Sequence, residues 1–148
     1  IMNQVTAYKN DPAVKHIFVL GHKPYYVDGD TTTSHAGLPA GPILWPAFQQ
    51  NGVAAMLSAH LHDYQRVQPD DSATYQVIAG NGGSPGEATF FGWSTINVWS
   101  DGRLELVTKG FPVGDPYYAA VPDSATVIHD QMILKRVGNG SSFPPDAW

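Results

Sequence analysis

Apolar positions in this chain fall into short runs broken by Gly, Pro, Asn and Asp, and the period of each run predicts an element. The opening segment through about Tyr8 has helical character and is expected to end at Asn10-Asp11-Pro12, because proline cannot continue a helix and biases its predecessor toward extended geometry. Lys15-His16-Ile17-Phe18-Val19-Leu20 is dominated by apolar and β-branched residues and stops at Gly21, the pattern of a strand buried on both faces. From Tyr26 to Gly41 the residues turn to Asp, Thr, Ser, Gly and Pro, which predicts a long loop of the length usually reserved for function. Pro42 opens a predicted helix through Gln50, with proline in its first turn and Asn51-Gly52 as its C-cap pair. Val53 to Ser58 follows as a second buried strand, so strand, loop, helix and strand read as an α/β unit.

The second half reads as β-rich. Strands are predicted over Thr74 to Ala79, Ser94 to Trp99 and Arg103 to Thr108, the last two joined by an Asp101-Gly102 turn. Thr126 to Arg136 is a late strand, and Gly138 to Trp148 is a Gly, Ser and Pro tail expected on the surface. No repeat or linker divides the chain, so residues 1–137 are read as a single domain portion and 138–148 as its tail.

Composition narrows the chemistry. A chain of 148 residues with 43% hydrophobic content supports one packed core. The net charge of -5, with the eight Lys and Arg scattered, argues against binding a nucleic-acid backbone. No apolar run approaches the roughly 20 residues that cross a bilayer. With no cysteine, any metal must be held by His, Asp, Glu or Asn. The polar remainder, rich in Ser, Thr, Asn, Gln and Gly, leans toward an exported protein over a cytoplasmic one.

Candidate chemistry collects just after three predicted strands: Gly21-His22-Lys23-Pro24, Ser58-Ala59-His60-Leu61-His62, and Ala79-Gly80-Asn81-Gly82-Gly83. Sites gather at such strand ends. The two-residue spacing of His60 and His62 throws both imidazoles to one side of an extended backbone, within reach of one cation or two adjacent ones. The His60–His62 spacing can also arise by chance in a chain with six histidines, and His22, the third member, can also be read as a loop histidine bonded to backbone. The glycine-rich turn could approach an anion or simply reverse the chain. Tyr25, Tyr26, Phe90, Phe91 and Trp93 could line a pocket for an organic ester or fill the core. His16 and His129 sit inside strands and read as structural.

In this order, the three motifs, with Tyr64 and Arg66 beyond the second, resemble the closing motifs of the calcineurin-like metallophosphoesterase family, most closely its purple acid phosphatase branch. The resemblance covers about Val14 to Thr108. It implies an α/β fold, the C-terminal half of a four-layer α/β/β/α sandwich, and metal-dependent hydrolysis of phosphate esters. Two divalent or mixed-valence ions of zinc, iron or manganese would lie at the strand ends, with His22 and His60 on one and His62 on the other. His35, in the loop after the first motif, looks like the proton donor or phosphate-binding histidine of that branch. Ser58-Ala59 departs from the family's Ser-Gly by one methyl. The family's Asp-x-His, Gly-Asp-x-x-Asp and Gly-Asn-His motifs, which supply the bridging carboxylate, do not occur in these residues. The expectation is therefore a fragment inactive alone, completed by an N-terminal half of the same protein or packed on a second copy. The competing expectation is a non-catalytic β-rich binding module with one three-histidine metal site or none.

Overall fold

In the computed structural model, which describes residues 1–27, 36–69, 72–84, 86–117 and 119–135, helix α1 spans Met2–Asn10 and helix α2 spans Gly41–Gln50. Seven strands follow the apolar runs: β1 Phe18–Leu20, β2 Ala55–Ser58, β3 Tyr64–Val67, β4 Tyr75–Ala79, β5 Phe90–Val98, β6 Leu104–Pro112 and β7 Val127–Lys135. A 3₁₀ turn, Asp123–Ala125, leads into β7.

The strands form two sheets. The first has the order β1-β2-β4-β3, with β1, β2 and β4 parallel and β3 antiparallel at the edge. Parallel strands need crossovers, and α2 lies on the one between β1 and β2. The second sheet is the antiparallel meander β5-β6-β7. Side-chain alternation decides how the two sheets stack. In β2 and β4, Ala55, Tyr75 and Val77 face Leu104, Leu106 and Leu134 of the second sheet in one core. The alternate positions face the helices, where Met56 packs with Val5, Ile17, Trp45, Phe48 and Val53.

The expected four-layer α/β/β/α half is corrected by this arrangement. Strands take 35% and helices 19% of the described residues, so the chain is mostly β-sheet. Both helices lie on one face of the first sheet, and among the described residues no helix covers the outer face of the second. The physical reason lies in β6, where buried Leu104, Leu106 and Thr108 alternate with Glu105, Val107 and Lys109. One face enters the core, while the other is part polar and carries Trp93 at 49% exposure. The strand read as buried on both faces is also corrected. β1 is a sheet edge, and its Leu20 is 77% exposed.

The sheets are joined by charge as well as by apolar contact. Arg66 of β3 donates from Nε to Asp130 Oδ2 of β7 at 2.7 Å and from Nη2 to Oδ1 at 3.2 Å. Tyr64 donates its hydroxyl to the same Oδ2 at 2.6 Å. Burial pushes the Asp130 carboxyl up, but the hydrogen bonds from Arg66 and Tyr64 outweigh it and hold the group below its ordinary value. A depressed acid contributes stability above its unfolded value and loses it as the pH falls through the folded one. Asp130→Asn is expected to cost about 1–3 kcal/mol of unfolding free energy at neutral pH, read by urea titration. The gap to the parent chain should close below about pH 4. A gap unchanged on acidification contradicts the charge contribution.

Candidate metal centre

The parallel ladder carries its register past the strand ends. Gly21 donates its N–H to the Leu57 carbonyl at 3.0 Å, and Ala59 donates to the His22 carbonyl at 3.1 Å. Each extra bond holds the segment beyond β1 beside the segment beyond β2. His22 and His60 are thereby brought to one place, with His22 Nε2 and His60 Nδ1 3.0 Å apart and the rings edge to face at 78°. Such a contact is a hydrogen bond in which one ring nitrogen donates and the other accepts.

His60 holds its position at a cost. Its φ of 69° makes it the one non-glycine residue with positive φ among the described residues. A side chain there costs about 1–2 kcal/mol against the right-handed region. The turn continues as Leu61 donates its N–H to the Ala59 carbonyl at 2.8 Å. Leu61 is buried, which plugs the turn into the core. The end of β4 supports it from the other side, since a Cβ at Gly80 would collide with the Leu61 carbonyl. Gly80 also donates to the Asp63 carbonyl at 3.0 Å. The backbone between the two histidines is therefore turned, which corrects the extended geometry inferred from their spacing.

His62 follows a different path. Its side chain lies beside Gly86, where a Cβ would stand 3.0 Å from His62 Cβ. Among the described residues no three His, Cys, Asp or Glu side chains form a group able to hold a metal ion. Of the three histidines, His22 and His60 are in direct contact, and His62 packs beside Gly86. His35 lies outside the described residues.

The remaining candidates settle into packing. The rings of Tyr25 and Tyr26 pack at a tilt against each other, Tyr25 also tilted on Trp45 and Tyr26 edge-to-face with it. Phe90 and Phe91 are buried, and the His129 ring lies flat on Phe90 with centroids 3.6 Å apart. His16 Nδ1 is buried without a hydrogen-bond partner, and burial followed by the charge of Lys135 pulls its pKa down. Tyr64 and Arg66, read as part of the second motif, are engaged with Asp130 between the sheets. Asn81 is 1% exposed and donates to the Phe90 carbonyl at 3.4 Å, so the glycine-rich turn is tied into the fold at that point.

One residue at the site escaped the motif reading. Gln76, in the middle of β4, reaches up to the loop after His22. Its only signal in the sequence is a long polar side chain inside the buried run Tyr75-Gln76-Val77-Ile78.

No protein-family model matches the chain, and no curated protein matches it. The solved structure of GAP50, the anchor in the inner membrane complex of Plasmodium, is similar, with a TM-score of 0.57 and 19% sequence identity over 75% of this chain. At that identity the likeness concerns the fold. The chain spans about a third of that protein, 36% of its length. No helix among the described residues is long and apolar enough to cross a membrane.

The left-handed backbone at position 60 separates the needs of folding from those of the ring. His60→Gly relieves the strain and His60→Ala retains it, so the glycine variant should be the more stable of the two by about 1–2 kcal/mol. Thermal and urea unfolding of both variants measure this. Equal stabilities would mean that position 60 bears no backbone strain.

Proposed function

We propose that this chain carries the histidine side of a metal-dependent phosphate ester hydrolase. The observation that carries the reading is the His22–His60 contact at the ends of two parallel strands, kept at a backbone position where glycine is easier. Strain of this kind, held by surrounding structure, is a mark of function. Two nitrogens each about 2.0–2.1 Å from one tetrahedral ion stand about 3.3–3.4 Å from each other, so the pair at 3.0 Å would take up an ion by opening a few tenths of an ångström. Neutral imidazoles bind without cancelling the ion's charge. His22 and His60 would share one ion, and His62 would serve a second. Bound zinc, iron or manganese would polarise the phosphoryl group and lower the pKa of a water. The further oxygen ligands, including a bridging carboxylate, would come from residues outside this sequence.

A non-catalytic binding module is the second reading. It is favoured by the likeness to a protein described as an anchor. Metal content and hydrolysis of a chromogenic phosphate ester, measured on the full-length protein, separate the two. His22→Ala and His60→Ala should each lower metal stoichiometry and reduce turnover by orders of magnitude. Metal bound without turnover in the parent protein supports the binding module. Undiminished metal in both variants removes the pair as a ligand set.

A further inference from the structure

We propose that Gln76 is a positioning residue for His22, acting through the backbone of Tyr25 and Tyr26; the effect on metal affinity rests on the metal reading above. Gln76 is fully buried at 0% exposure, on the helix-facing side of β4 opposite Met56 of β2. Its Oε1 accepts hydrogen bonds from the Tyr25 and Tyr26 N–H groups at 2.7 and 2.9 Å. Its Nε2 donates to the Tyr26 carbonyl at 2.6 Å. Both ends of the amide are therefore used, in an orientation that no carboxylate and no apolar side chain reproduces.

These bonds fall three and four residues after His22, and the linking residue Pro24 is buried with restricted φ. The anchored dipeptide is held on its other sides as well. Leu38 donates its N–H to the Pro24 carbonyl at 2.6 Å, closing the loop's base. The Tyr25 ring occupies the space that a Cβ at Gly41 would need. On the strand side His22 is tied by Ala59. The segment Gly21 to Tyr26 is thus pinned at both ends, and the His22 ring sits in the span between. An apolar side chain at position 76 would remove all three of these hydrogen bonds at once, and with them the tie that holds the loop down on β4. With that tie gone His22 is held only from the strand side, by Ala59, and its ring loses its fixed setting against His60, whose turn is fixed separately by Leu61 and Gly80.

The test compares Gln76→Met with Thr74→Val in the full chain. Thr74 is equally buried in the approach to β4, and its Oγ1 donates to the Val53 carbonyl at 2.8 Å, away from the His22 loop. Two readouts are taken: zinc affinity by titration, and ring ¹⁵N spectra of His22 and His60 without metal. Gln76→Met should weaken zinc binding about 10–100-fold, the range for partners that orient ligands, and abolish the hydrogen-bonded ring signature. Thr74→Val should leave both unchanged. A folded Gln76→Met with parental affinity and ring spectrum overturns the proposal, as does an equal loss in Thr74→Val. If the parent chain binds no zinc while Gln76→Met alone loses the ring signature, the metal reading fails and the positioning role stands. Should Gln76→Met not fold, amide exchange in the parent decides: Tyr25 and Tyr26 should exchange as slowly as β4, and rapid exchange overturns the assignment.

Discussion

The parallel ladder of β1, β2 and β4 is the constraint from which the site follows. Its register pairs Leu20 with Leu57 and Ser58 with Ile78, so three strands finish within a residue or two of one another. Parallel strands pointing the same way place everything that follows them at one edge, which is why such edges collect functional groups. Here the ladder runs on through Gly21 and Ala59 before the chain turns. His22 and His60 meet because the hydrogen-bond pattern leaves them nowhere else to begin.

Around that edge, buried polar groups and a glycine hold the loops in place. Gln76 ties down the segment after β1, Gly80 admits the turn after β2, and Asn81 fastens the segment after β4 to the start of β5. The opposite face of the same sheet is joined to the meander by Leu104, Leu106 and Leu134 and by the Arg66–Asp130 pair. A buried amide that satisfies three backbone groups is valuable because leaving them unmet is costly. The strained φ of His60 persists only because neighbours on both sides fix the turn.

Much of this was legible from residue pattern. The runs at Ile17 to Leu20, Val53 to Ser58 and Thr74 to Ala79 became β1, β2 and β4 with small changes at their ends, because short apolar runs bounded by Gly or Asn have few alternatives. β3 was not foreseen, since Tyr64-Gln65-Arg66-Val67 has no uniform apolar face and follows directly on the histidine motif. Strands β5 and β6 run longer than their pattern suggested, because Gly92 and Gly110 sit opposite each other and the pairing passes through them. A Cβ at Gly92 would meet the Lys109 carbonyl, so the missing side chains are what let the strands continue. The layer count was beyond local pattern, as it depends on what covers the outer face of the meander. At the site, motif spacing drew attention to His22, His60 and His62, whereas the turn of the backbone at His60 lies in a φ angle that no spacing encodes.

The central claim is that His22 and His60 are built to hold one metal ion together. Crystals of the full-length protein grown with zinc, with anomalous diffraction recorded at the zinc edge, test it directly. The account predicts a peak about 2.0–2.1 Å from both His22 Nε2 and His60 Nδ1. Zinc bound elsewhere with the two imidazoles still hydrogen-bonded to each other would contradict it.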